Sequence, residues 1–200
     1  MIKEYQRKMF GGMANLMFKH AYLYAQMREG KIPDVYLQDE KYFKKYEDEI
    51  REMFGEGIGY LPYVSIHVRR GDYITSHKGF YVDLCSTDYY EKAVEMFPMN
   101  KFLVFCKDGQ GAEQDELDKK WCMDYFEKLI PGRFQFMSSD DEVEDFNMMA
   151  SCQSNILANS SFSWWAGYMN KNPVKQVVCP KEWFTDGIKR ISLPEKWIKI

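Results

Sequence analysis

No segment of this chain gathers Lys and Arg into a basic face: 27 basic residues are outnumbered by 30 acidic ones, for a formal net charge of -3. Binding a phosphate backbone needs concentrated positive charge, so nucleic acid is excluded as a partner. Also missing is any apolar run near the roughly 18 residues of a membrane span, and the opening Met1-Ile-Lys-Glu-Tyr-Gln-Arg-Lys-Met9 has no apolar core of a secretory leader. The chain therefore reads as cytoplasmic, a reading compatible with peripheral association at the inner face of the membrane. Cysteine is sparse: Cys85, Cys106, Cys122, Cys152 and Cys179 are odd in number, widely spread, and include no C-x-x-C pair and no neighbouring histidine at metal-ligand spacing. That argues against a disulfide framework and a zinc site, and leaves reduced thiols acting as small hydrophobes in runs such as Phe102–Cys106 and Val177–Cys179. Repeats and low-complexity tracts are absent as well. What remains, 46% hydrophobic and 16% aromatic over 200 residues, is enough for one compact domain or one and a fraction.

From residue 60 onward, short β-rich runs alternate with helical patterns, the mark of a parallel sheet. Strands are predicted at Tyr63–Val68, Phe102–Cys106, Phe134–Met137, Asn155–Ala158 and Gln176–Cys179. A helix opens at Asp88, with Glu91 at the capping-box position and Ala93, Val94 and Phe97 on one face. Leu117, Trp121, Tyr125 and Leu129 recur every four residues, which predicts a second helix with that stripe buried, ended by Pro131-Gly132. Two more helices span 141–151 and 162–170. The fold class is therefore α/β, a doubly wound, Rossmann-like parallel sheet over 60–200. Ligands of such sheets bind beyond the carboxyl ends of the strands, often where strand order reverses, so the loops after Val68 and Ala158 are the places to look. Residues 1–59 lack a convincing strand. There Met13–Met27 and Asp39–Phe54 predict a mainly helical segment, and Gly55-Glu-Gly-Ile-Gly59 a hinge.

Two loops carry the chemistry. In His67-Val-Arg-Arg-Gly-Asp-Tyr73, adjacent arginines before a turn-permitting glycine suit a bidentate phosphate clamp. The plainer alternative is a surface turn with one arginine paired to Asp72. His67, at a strand end, reads first as a hydrogen-bonded structural residue. In Ala158-Asn-Ser-Ser-Phe-Ser-Trp-Trp-Ala-Gly167, Asn159, Ser160 and Ser161 open a helix whose first N–H groups favour an anion. Capping explains one such residue, and three in a row at the same crevice as the arginines suggest a diphosphate. Trp164 and Trp165 read as helix core. The carboxylates of Ser138–Asp145 are better explained by helix-terminus electrostatics than by a divalent metal, with Asp145 one turn further along.

The arginine and serine motifs resemble the paired motifs of glycosyltransferase family 11, the α-1,2-fucosyltransferases that use GDP-fucose. Phe10-Gly-Gly-Met-Ala-Asn-Leu-Met-Phe18 resembles that family's amino-terminal G-G-L-G-N-Q-M-F, and Leu37-Gln-Asp-Glu-Lys-Tyr-Phe43 a further family segment. The resemblance implies a GT-B-type transferase. Its carboxyl-terminal donor domain, residues 60–200, would bind the nucleotide sugar, and residues 1–59 would form the acceptor side. Arg69 and Arg70 would hold the diphosphate, Ser160 and Ser161 would meet it from the loop begun by Asn159, Asp145 would read guanine, and His67 and Asp72 would shape the same site. Asn15, with Gly11 and Gly12, would approach the sugar. The implied reaction moves L-fucose from GDP-fucose to the 2-hydroxyl of a terminal galactose on a glycan, with inversion and without metal or other cofactor.

Met13, Ala14 and Leu16 stand where the family has Leu, Gly and Gln, although Asn15 is kept. Relative to the family, the strand before this motif and several dozen residues between about Arg28 and Val35 are expected to be missing. That makes a catalytically weak GDP-sugar-binding partner subunit the alternative. A small kinase is a third reading, weakened by the lack of a G-x-x-x-x-G-K-[ST] loop.

Overall fold

The structure, a computed structural model, describes residues 13–30, 38–55, 58–106, 111–137, 139 and 141–200. It divides into two compact units, Met1–Glu56 with Arg190–Glu195, and Gly57–Lys189 with Lys196–Ile200.

The first unit holds helix α1 (Met13–Glu29), two 3-10 turns (Glu40–Tyr42 and Lys44–Tyr46) and helix α2 (Glu47–Phe54). Asp39 starts the first turn by accepting from the Lys41 N–H at 3.0 Å. Acidic Glu47, Asp48 and Glu49 crowd the first turn of α2, where the helix dipole favours them. Phe18, Tyr22, Phe43 and Ile50 are buried, and Tyr22–Tyr42 and Tyr24–Tyr46 meet edge to face at 5.3 and 5.8 Å. The segment 190–195 is tied in by the Ser192 N–H, which donates to the Gln38 carbonyl at 2.9 Å.

The second unit runs β1 (Leu61–His67), α3 (Gly71–Ile74), α4 (Tyr89–Glu95), β2 (Phe102–Phe105), α5 (Ala112–Leu129), β3 (Phe134–Met137), α6 (Glu142–Ser151), β4 (Cys152–Ile156), α7 (Ser161–Met169), β5 (Val177–Cys179) and β6 (Ile198–Lys199). All strand pairs are parallel, in the order β3-β2-β1-β4-β5-β6. This is the doubly wound Rossmann-like arrangement expected from the sequence. Side chains alternate across the sheet. Val64, Ile66, Phe102, Val104 and Ile156 pack with Tyr90, Ala93, Cys122 and Phe126 of α4 and α5. On the opposite face Asn155 bonds to the Met149 carbonyl of α6, and Gly167 of α7 lies against Leu157 and Val177.

Four details differ from the sequence reading. The deeply buried face of α5 is Asp118, Cys122 and Phe126, one position on from the predicted stripe, and Leu117 is 58% exposed. Strand β4 begins three residues early because its polar residues are satisfied inside. The Asn155 amide donates to Ser65 Oγ and the Met149 carbonyl, each at 2.7 Å, and accepts from Asn170 at 2.8 Å. Asp88 makes no capping bond, and Thr87 Oγ1 accepts from the Tyr89 N–H instead. The two-residue strand β6 was not expected. All five cysteines are free, and burial pushes the thiols of Cys85, Cys152 and Cys179 up to about 12, away from reactivity. Trp164 and Trp165 are fully buried, as predicted.

Candidate functional site

Strands β1 and β4 are neighbours with opposite histories. The chain leaves β1 to build β2 and β3 on one side, then crosses back to start β4 on the other. Their carboxyl ends flank the topological switch point, where the crossovers diverge and where sheets of this class bind ligands. Register sets Ile66 beside Ile156, so the arginine loop and the serine loop leave the sheet side by side. Two contacts tie them: the Tyr73 hydroxyl donates to the Asn159 carbonyl at 2.8 Å, and the His67 and Phe162 rings lie 5.6 Å apart.

The two arginines have different surroundings. Arg70 turns inward: its Nε donates to Asp118 Oδ1 at 3.0 Å, and its guanidinium lies 4.3 Å from the centre of the Trp121 ring. Asp118 Oδ2 accepts from the Gly71 N–H at 3.0 Å, and Gln114 adds a bond to Oδ1 at 3.0 Å. Burial disfavours the charge of Arg70, but the Asp118 bond, with Cys85, outweighs it and holds the guanidinium above the usual arginine value. This cluster clamps the start of the loop to α5. Arg69 instead lies 5.4 Å from the Tyr73 ring centre and 2.8 Å from Asp72 Oδ1, an ion-pair contact outside hydrogen-bond geometry. Its N–H groups can therefore be redirected to an incoming anion.

His67 is 3% exposed, and burial, then the Arg69 charge, push its pKa down to about 3. The ring is a neutral wall, and its Nδ1 has no hydrogen-bond partner among the described residues. Its carbonyl accepts from the Tyr90 hydroxyl at 2.9 Å. Asp72 meets Arg69 on one oxygen and His77 Nδ1, at 3.3 Å, on the other.

On the facing loop Ser160 caps α7, its Oγ accepting from the Phe162 N–H at 3.3 Å. Ser161 begins the helix, whose first turn presents N–H groups at this end. Asn159 is structural here: its amide donates to the Val82 and Trp183 carbonyls at 2.8 and 3.1 Å. Asp145 sits on the first turn of α6, 7% exposed, where Oδ1 accepts from the Ser139 N–H at 3.3 Å. Its neighbour Phe146 touches Phe162, which in turn meets His67, so this turn belongs to the same carboxyl edge. Asp141 caps α6 by accepting from the Val143 N–H at 2.8 Å. No cluster of metal-ligating side chains occurs among the described residues. Asn15 lies in the first unit, where its Oδ1 accepts from Gln38 at 3.0 Å, and Gly11 and Gly12 fall outside the described residues.

Sequence reasoning missed Asp118, Tyr73 and His77. A buried carboxylate among exposed helix charges leaves no periodic signal, and Tyr73 and His77 act through partners on other turns.

The model of glycosyl transferase family 11 matches residues 2–199. Among curated relatives, the O-antigen biosynthesis glycosyltransferase WbnK of Escherichia coli is 33% identical over 68% of this chain and 44% of its own length. An alpha-1,2-colitosyltransferase of Escherichia coli is 27% identical over 82% of this chain and 60% of its own. Galactoside alpha-(1,2)-fucosyltransferase 1 of Rattus norvegicus is 28% identical over 56% of this chain and 29% of its own. The chain thus spans only part of the relatives it matches. No solved structure gives a significant match. With the family model covering almost all of its length, and the arginine and serine motifs meeting at one switch point, the chain belongs to glycosyl transferase family 11.

Proposed function

We propose that the chain is an inverting transferase that moves L-fucose from GDP-fucose to the 2-hydroxyl of a terminal galactose on a glycan. The observation that carries this reading is the juxtaposition of Arg69 with the amino-terminal turn of α7, tied by the Tyr73–Asn159 bond. Arg69, with Ser160 and Ser161, holds the diphosphate. Arg70 and Asp118 hold the loop that presents Arg69. The Asp145 carboxylate accepts from the guanine edge, which offers two adjacent N–H groups, and His67 with Asp72 walls the site. As the acceptor hydroxyl attacks C1 of fucose and the C1–diphosphate bond breaks, Arg69 stabilises the charge growing on GDP, so no divalent cation is needed.

The colitosyltransferase relative supports a second donor. Colitose is fucose without its 3-hydroxyl, so one site accepts both unless it bonds that group. The test is calorimetry with GDP, ADP and UDP, followed by transfer assays from GDP-fucose and GDP-colitose to a panel of galactosides, with and without EDTA. GDP preference and EDTA-insensitive transfer are expected. Preference for ADP or UDP overturns the role of Asp145, and activity lost to EDTA and restored by magnesium overturns metal independence. GDP binding with no transfer to any galactoside leaves the partner-subunit reading.

A further inference from the structure

We propose that His77 is the general base of the transfer, oriented by Asp72; this rests on the reading that Arg69 holds the donor diphosphate. The chain has three histidines. His20 is bonded within α1 to the Leu16 carbonyl, and His67 is sealed in the sheet edge, so His77 is the histidine whose half-exposed ring meets the carboxylate of the arginine loop.

Its placement is built twice. The His77 N–H donates to the Asp72 carbonyl at 2.7 Å, curling the chain after α3 back onto that residue, and the side chains then meet with Nδ1 3.3 Å from Asp72 Oδ2. The contact is an ion pair outside hydrogen-bond geometry; with the proton on Nδ1, facing the carboxylate, Nε2 keeps its lone pair for the acceptor. Ser76 Oγ lies 3.4 Å from the same Nδ1, and the Tyr81 ring meets the imidazole edge-on at 6.1 Å. The charged groups facing the ring are Asp72 and, through it, Arg69, while Lys78 follows in the chain. This arrangement differs from an ordinary surface pair because Asp72 is itself 85% buried and its other oxygen meets Arg69. One carboxylate positions the cation for the leaving group and the base for the nucleophile.

In the step, Nε2 takes the proton of the acceptor hydroxyl as its oxygen bonds to C1. The C1–diphosphate bond breaks, its electron pair leaves on GDP beside Arg69, and the imidazolium charge rests against Asp72.

The test is steady-state transfer from GDP-fucose to a galactoside by wild type, His77→Gln and His77→Ala. General-base catalysis contributes about 100-fold or more, so kcat of His77→Gln should fall by that factor, while the Kd for GDP stays within about twofold. The acid limb of the kcat/KM profile should vanish with the histidine, and added imidazole should restore part of the rate of His77→Ala. A kcat of His77→Gln within about threefold of wild type, or an unchanged acid limb, overturns the proposal while the donor assignment stands. A wild-type chain that binds no GDP overturns the underlying reading and the role of His77 with it, whereas one that binds GDP and transfers nothing overturns the role of His77 alone.

Discussion

Adjacent arginines in one motif have opposite fates. Arg69 meets Asp72 and the crevice, so Arg69→Ala should weaken GDP binding about ten- to a hundredfold by calorimetry with little change in folding, since a charge-assisted bond to phosphate is worth roughly 1.5–3 kcal/mol. Arg70→Ala strands the Asp118 carboxylate, 3% exposed, and should cost about 2–3 kcal/mol of stability in urea unfolding. His67 adds a pH dependence. Its folded pKa of about 3 lies below the unfolded value of 6.5, so the unfolded chain takes up the proton first. That contribution to stability is complete above pH 6.5 and fades as pH falls toward 3. Replacing His67 by Asn removes it, so the gap in unfolding free energy between wild type and variant should shrink by on the order of 2 kcal/mol between pH 7 and pH 5. At this scale the sequence shows the motif but not the division of labour. Arg70 and Asp118 are 48 positions apart, and nothing local in either segment announces their bond.

Elements were more legible than their faces. Strands β1, β2, β3 and β5 and the helices between them lie close to their predicted spans, because β-branched runs and four-residue spacing report directly on backbone period. What failed was rotation and polarity. Trp121 and Tyr125 seem obvious core by hydropathy, yet they stack on each other at 4.6 Å along the border of α5. The inner positions went to smaller Cys122 and to an aspartate whose partners lie in another loop. Strand β4 begins at Cys152, ahead of the predicted start at Asn155, because Ser154 and Asn155 find polar partners inside the fold. Helix α7 shows how little slack its packing has: a methyl on Gly167 would come within 3.1 Å of Val177 and 3.3 Å of Leu157, both buried. Gly167→Ala should therefore lower stability by about 1–2 kcal/mol in thermal unfolding, overpacking outweighing the roughly 1 kcal/mol that alanine gains in a helix. Recovery of that loss by Val177→Ala in the double variant checks the cause.

For the whole molecule, the proposed donor residues all belong to the second unit and Asn15 to the first. Asn15→Ala should then leave GDP affinity within a few fold while transfer falls below detection, positioning of the acceptor being worth several kcal/mol of the barrier. Robust turnover in that variant places the acceptor side elsewhere. The family motifs were visible along the chain because each is local, whereas the return of 190–195 to the first unit carries no motif and was not anticipated. The seam between β1 and β4 has one more consequence, for the order in which the molecule assembles. Ser65 and Asn155, bonded at 2.7 Å, are 90 residues apart, so closing this seam carries an entropic cost in folding that the nearer strand pairings do not. The switch point does not exist until the seam closes. On the proposed reading, a nucleotide bound there recognises only chains that have completed that closure, and it acts as a latch on the longest loop in the sheet, slowing its opening without hastening its formation.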